Sequence, residues 1–172
     1  MEKTDLVIIG AGPGGYVAAI RAAQLGKKVI LIEENKAGGI CLNYGCIPSK
    51  AMIYAADFLD KIKKSSSMGI TTSEVLIDFQ KMQSWKNSIL SKLEKGVETL
   101  CNGNKITLIK GRASFVSSHS ISVETKEGKN EINFENAIIA TGSMPIEIPL
   151  FPFDEKTIVS STGALFLEEI IY

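Results

Sequence analysis

The feature that most restricts how this chain can fold is a cluster of four glycines in six residues, Gly10-Ala11-Gly12-Pro13-Gly14-Gly15. It separates a fully apolar stretch, Leu6 to Ile9, from an Ala-rich, helix-favouring stretch, Tyr16 to Leu25, which Gly26 closes as a C-cap. A short unbroken apolar run marks a strand buried on both faces, the habit of a parallel sheet. Val29 to Ile32 repeats that run and ends at Glu33 and Glu34. Strand, turn, helix and strand within about 30 residues is the size of a βαβ unit. The expected fold is therefore α/β, built on a central parallel sheet.

The cluster matches G-x-G-x-x-G in the context that gives the pattern meaning, after a buried strand and at the opening of a helix. Gly10 permits the tight turn, Gly12 lets backbone approach a pyrophosphate, and Gly15 lets the helix lie close on the strand. The helix start turns its free N–H groups and positive dipole end toward phosphate. Glu33 lies 18 residues after Gly15, at the tip of the second strand. A carboxylate there accepts hydrogen bonds from ribose hydroxyls and repels a 2′-phosphate. The alternative is a turn that only packs tightly, with Glu33 a surface charge. The agreement of four elements favours a dinucleotide, and the turn does not decide whether that is FAD or NAD.

Lys plus Arg and Asp plus Glu number 19 each, so no basic face is implied and nucleic acid is a poor partner. No apolar run approaches a membrane span. Glu2 and Asp5 spoil any reading of the N-terminus as a secretory signal, so a cytoplasmic protein is expected.

Downstream, Ile47 to Lys64 reads as a helix with Ala51, Ala55, Phe58 and Ile62 on one side. Asp78 caps a longer helix whose apolar stripe is Phe79, Met82, Trp85, Ile89, Leu93, Val97 and Leu100, ended by Asn102-Gly103. From Lys105 the period changes to two. Residues 106–109, 113–116, 120–124 and 131–134 read as a small antiparallel meander packed as a separate layer. Ala137 to Ala140 is again buried strand, and Pro145, Pro149 and Pro152 mark an irregular loop. His119 sits in a polar hairpin tip and reads as a solvated loop residue, and Cys101 as a buried small apolar one.

Cys41 and Cys46 are the chemical centre of the sequence. Without an export signal, such a pair is more often catalytic or metal-binding than a structural disulfide. A zinc half-site would need further ligands that Cys101 and His119 are not spaced to supply, so no metal is expected. Ile47-Pro48 after Cys46 places that sulfur near a helix N-terminus, where the dipole favours thiolate over thiol. Cys41, one loop earlier, is freer to exchange with a substrate disulfide.

The segment Gly38-Gly39-Ile40-Cys41-Leu42-Asn43-Tyr44-Gly45-Cys46-Ile47-Pro48-Ser49-Lys50 resembles the active-site stretch of the class I flavoprotein disulfide reductases. Cys41-Leu42-Asn43 and Gly45-Cys46-Ile47-Pro48-Ser49-Lys50 are most similar to the dihydrolipoamide dehydrogenases. Glutathione and mercuric reductases resemble them less well at Leu42, Ile47 and Ser49. Ile40 stands where these proteins usually have threonine, and Tyr44 where they usually have valine. The resemblance implies a Rossmann-like FAD-binding domain over residues 1–172, the meander an insertion at about 105–135. It implies that Cys46 is the charge-transfer thiol and Cys41 the interchange thiol. It further implies cofactor contacts from Gly10, Gly12, Pro13, Gly14 and Gly15, from Glu33 and Glu34, and from Gly39, Ile40 and Lys50. Gly111, Ala113, Ala140, Thr141, Gly142, Ser143 and Ser161 complete that set.

Such proteins continue into an NAD-binding domain and a dimerisation domain with the catalytic histidine, and the 172 residues hold one glycine turn and no second. The implied parent is a homodimer that oxidises lipoyl groups of 2-oxo acid dehydrogenase or glycine cleavage complexes and reduces NAD. This chain alone is expected to be a monomer or weak dimer without full turnover.

Overall fold

A computed structural model describes residues 2–170. In chain order the elements are β1 (Glu2–Ile9), α1 (Pro13–Gln24), β2 (Val29–Glu33), α2 (Gly39–Tyr44) and α3 (Cys46–Lys64), followed by a 3-10 turn at Ser65–Met68. Then come α4 (Phe79–Gly103), β3 (Thr107–Lys110), β4 (Arg112–Ser117), β5 (Ser120–Thr125), β6 (Gly128–Ile139) and α5 (Ser161–Leu165). The chain divides into two compact units. One comprises Met1–Asn43 with Lys92–Met144, the other Tyr44–Ser91 with Pro145–Tyr172.

The first unit carries a six-stranded sheet in the order β3-β2-β1-β6-β5-β4. β1 pairs in parallel with β2 through Leu6↔Val29 to Ile9↔Ile32, and with β6 through Leu6↔Asn136 to Ile9↔Ile139. The apolar runs that marked β1 and β2 are the buried centre: Val7, Ile8, Ile30 and Leu31 are fully enclosed. Alternate residues serve opposite faces. Val7, Ile30 and Ile32 join Ile121, Val123, Ile132 and Phe134 in one apolar cluster.

Two strands differ from the sequence expectation. Residues 107–110 do not open the meander; they lie parallel beside β2, with Ile30↔Thr107 and Ile32↔Ile109 in register. The stretches expected at 131–134 and 137–140 are one twelve-residue strand, β6. Its first half pairs antiparallel with β5 and its second half parallel with β1. The meander β4-β5-β6 therefore continues the parallel sheet instead of forming a layer apart from it. Period-two patterning fixes strand character but not partner, and β6 satisfies two partners by its length.

Helix ends follow the chemistry of their last residues. Lys27 N–H donates to Ala22 O and Gly26 N–H to Ala23 O, with Gly26 at φ +82°. This is the left-handed close expected of that glycine. The same pair of bonds ends α4, but around Lys105 at φ 59° instead of Gly103. Ile106, only 4% exposed, donates to Cys101 O, and its burial draws the turn two residues past the Asn-Gly signal.

In the second unit, Lys81 N–H donates to Asp78 Oδ1 at 3.0 Å, the cap expected of Asp78 at the start of α4. The stripe of α4 is shifted from the expected one. Trp85, Leu93 and Leu100 are exposed, while Gln83, Lys86, Leu90, Val97 and Cys101 are buried. Burial holds the Cys101 thiol protonated above its ordinary value, and Glu98 adds to the effect. Phe58 on α3 is likewise exposed, and His119 is an exposed turn residue as expected. Among the described residues no helix is long and apolar enough to cross a membrane.

Candidate functional site

The glycine turn joins the carboxyl end of β1 to α1, and Gly10, Gly12 and Gly15 differ in what the fold asks of them. Gly10 has φ +98°, a conformation other residues rarely adopt, and an added Cβ would overlap the Ala140 carbonyl. Gly10 N–H donates to Ile32 O at 2.7 Å and Ala140 N–H to Ile9 O at 2.8 Å, which locks the turn between β2 and β6. A Cβ on Gly15 would overlap the Gly10 carbonyl, so α1 can descend onto β1 only with glycine there. Gly12 is unlike both. It has φ −71° as the N-cap of α1, and the nearest atom to an added Cβ is Gly39 Cα at 3.8 Å. Neither backbone strain nor packing requires glycine at this position.

Glu33 closes the turn from the second strand. Its Oε2 accepts from Ala11 N–H at 2.7 Å and its Oε1 from Asn35 N–H at 2.8 Å. Each carboxylate oxygen keeps a further lone pair, so a ribose hydroxyl could still donate to it. Gly38 N–H donates to Ala11 O at 2.8 Å, bringing the loop before α2 onto the same turn. Gly39, at φ +61°, passes so close that its added Cβ would lie 2.6 Å from Gly12 Cα. Gly111 N–H donates to Glu33 O at 2.9 Å, and its own Cβ would lie 2.6 Å from Glu124 O. Gly10 to Gly15, Glu33, Gly39, Gly111 and Ala140 thus gather at the carboxyl ends of β1, β2 and β6. Open α/β sheets place their ligands there. Ala113 is half-buried on β4; Glu34, Ile40, Thr141, Gly142 and Ser143 are exposed.

Cys41 and Cys46 are disulfide-bonded to each other. Cys41 lies within α2, a helix absent from the sequence reading because Gly38-Gly39 obscures its start. The signal that could have found it is Asn43, which is 2% exposed. Its Nδ2 donates to Ala37 O at 3.0 Å and Gly39 O at 3.1 Å, tying the glycine loop to the helix. Cys46 is the first residue of the 19-residue α3, at the dipole end expected for it, and is exposed. Lys50, also exposed, stands one turn further on the same helix face.

Ser161 opens α5 in the second unit and is exposed. Gly163 N–H donates to Ser160 Oγ at 3.1 Å, capping that short helix. Its far end meets three polar side chains of α4 that the sequence reading passed over. Lys86 Nζ donates to Leu165 O and Gln83 Oε1, each at 2.5 Å. Gln83 Nε2 donates to Leu167 O at 3.0 Å, and Gln80 Nε2 to Glu168 O at 2.5 Å. The spacing of 80, 83 and 86 put all three on one helix face, but the apolar residues beside them carried the stronger signal.

The turn and its surroundings fit the ADP half of a dinucleotide. Backbone is exposed at the N-terminus of a twelve-residue helix, an uncrowded glycine leads it, and a carboxylate stands at the tip of the neighbouring strand. Residues 4–169 match the family model described as pyridine nucleotide-disulphide oxidoreductase. The chain is 54% identical to a dihydrolipoyl dehydrogenase of Bacillus subtilis over 168 residues, 98% of this chain and 36% of that protein. It is 52% identical to the dihydrolipoyl dehydrogenase of Geobacillus stearothermophilus with the same coverage. Among solved structures it resembles a Cu(II) complex of the HOCl-induced flavoprotein disulfide reductase RclA from Escherichia coli. The TM-score there is 0.80 at 32% identity, over 98% of this chain and 35% of that one. The chain therefore spans about a third of the length of the proteins it matches.

Proposed function

Because the chain belongs to the pyridine nucleotide-disulphide oxidoreductase family, we propose that residues 1–172 are the FAD-binding, redox-disulfide portion of a dihydrolipoamide dehydrogenase. The observation that carries this reading is Gly12, a glycine demanded by neither strain nor packing in a turn whose first and last glycines, Gly10 and Gly15, are. Close approach of a ligand phosphate supplies the missing reason. The backbone of residues 12–15 would hold the pyrophosphate and Glu33 the ribose. Gly111 and Ala113 would border the adenine, and Gly39, Ile40, Lys50, Ala140 to Ser143 and Ser161 the rest. FAD, when bound, would supply a two-electron acceptor for the cysteine pair.

The cysteines carry the sulfur chemistry. A thiolate of dihydrolipoamide attacks Cys41 Sγ, forming a mixed disulfide and breaking the Cys41–Cys46 bond. Cys46 leaves as thiolate, which the N-terminus of α3 stabilises. The second lipoyl thiol then displaces Cys41, giving lipoamide and a reduced cysteine pair. One of the two thiol protons remains on Cys41 and the other is released. In the parent the electron pair continues to NAD, with lipoyl-bearing 2-oxo acid dehydrogenase or glycine cleavage complexes as partners, in the cytoplasm and as a homodimer. A second reading is a disulfide reductase of another substrate, supported by the likeness to RclA.

Alkylation and mass spectrometry test the proposal. Dihydrolipoamide should convert two protected cysteines, Cys41 and Cys46, into two alkylated ones, and glutathione should do so more slowly. Equal or faster reduction by glutathione would favour the second reading. A cysteine pair that neither thiol reduces would remove the redox role. The 172-residue chain, with one glycine turn, should give no lipoamide-dependent NAD turnover by itself. General-base help from elsewhere in the parent is worth about 10²–10⁴ in rate.

A further inference from the structure

Lys86 is fully enclosed, with no exposed surface, in a position where most helices carry an apolar residue. Taking an ammonium out of water is costly unless hydrogen bonds replace its hydration. Here Leu165 O and Gln83 Oε1 accept from Nζ, and the Phe166 ring lies with its centroid 3.8 Å away. Both hydrogen-bonded oxygens are neutral, so the arrangement is not an ion pair. It is a charge directed at backbone.

The carbonyl it meets belongs to the last residue of α5, where the terminal carbonyls would otherwise lack donors. Gln83 extends the contact, accepting from Lys86 while donating to Leu167 O. Gln80 continues it to Glu168 O. One face of α4 thus captures three carbonyls of residues 165–168, and Ser160 caps the opposite end of α5. A five-residue helix is too short to hold its own shape, so its orientation is set by these outside bonds.

We propose that Lys86, acting through Leu165 O and Gln83, is the positioning residue that fixes α5 and residues 165–168, and with them the hydroxyl of Ser161. The part concerning Ser161 rests on the reading of that residue as a flavin contact. Lys86 touches neither cofactor nor substrate; it sets where a contacting residue points.

The discriminating variant is Lys86→Met, which keeps length and apolar packing against Phe166 but cannot donate. Replacing a buried charge by a similar-sized apolar residue is often neutral or stabilising. The chain should therefore keep its unfolding midpoint. At the same time the amides of Ala164 and Phe166, which donate to Ser160 O and Gly163 O, should exchange with deuterium faster. A roughly tenfold increase is expected from losing a charged hydrogen bond, with the amides of β1 and β2 unchanged. Calorimetric FAD affinity should fall by roughly tenfold, the scale of losing a supporting residue in metal sites. Unchanged exchange at Ala164 and Phe166, or exchange rising across the sheet together with a lost midpoint, would overturn the proposal. Ser161→Ala separates the two readings. If it weakens FAD while Lys86→Met does not, the positioning role is refuted. If neither affects FAD but exchange still rises, Lys86 fixes α5 and the flavin reading of Ser161 is what fails.

Discussion

Each of the two compact units of this chain owes its internal order to different physics. In the unit of residues 1–43 and 92–144, the centres of β1 and β2 are fully enclosed, and Gly10, Gly15, Gly39 and Gly111 sit where a side chain would strike backbone. In the unit of residues 44–91 and 145–172, apolar side chains are widely exposed. Met68, Leu76, Ile146 and Leu150 are each at least 70% exposed. Order around α5 there comes from Lys86, Gln83, Gln80 and Ser160 gripping backbone. Apolar burial and steric necessity are cooperative and unforgiving. Polar capture of carbonyls is local, and single side chains decide it.

The largest effect should come from Gly10→Ala. It combines a positive-φ strain of about 1–3 kcal/mol with overlap on the Ala140 carbonyl. Urea unfolding should show a loss of about 3 kcal/mol or more, and a loss under 1 would mean that the turn relaxes freely. Ile30→Ala, in the buried cluster, should cost about 2–5 kcal/mol through lost contact and cavity.

Lys86 sharpens the contrast through pH. Desolvation pushes its ammonium below the ordinary lysine value of 10.5. Between the folded value and 10.5 the unfolded chain binds the proton more tightly, so stability rises as pH climbs through that window and levels off above it. Cys101, raised above 9.0, slopes the other way in the alkaline range. The difference between wild type and Lys86→Met cancels that slope. It should favour wild type progressively toward pH 10.5, and a flat difference would contradict a buried charge. At the bottom of the series, Leu150→Ser, at a site 84% exposed, should stay within about 0.5 kcal/mol.

The same division explains what could be read from sequence. β1, β2, the turn and Glu33 were legible because buried parallel strands and positive-φ glycines leave few residue choices, and each signal is local. The placement of residues 107–110 beside β2 was not legible, since pairing partners are set by contacts distant in sequence. The buried face of α4 misled for a related reason. Trp85 and Leu93 are more apolar than Lys86 and Gln83, and only the carbonyls of Leu165 and Leu167 explain why the polar residues are enclosed. Lys105 at the left-handed close of α4 follows from the burial of Ile106, again a tertiary demand.

Gly12 tests the central claim most directly, because its role in the turn is separable from its role in the fold. An alanine Cβ there meets only Gly39 Cα, at an ordinary contact distance of 3.8 Å. Calorimetric titration of FAD and of ADP into wild type and Gly12→Ala should show both ligands binding wild type. Gly12→Ala should bind them at least roughly tenfold more weakly, a loss of about 1.4 kcal/mol, with its unfolding midpoint unchanged. Equal affinity in a folded Gly12→Ala would contradict the account, because a glycine that neither strain nor packing requires would then have no ligand to serve.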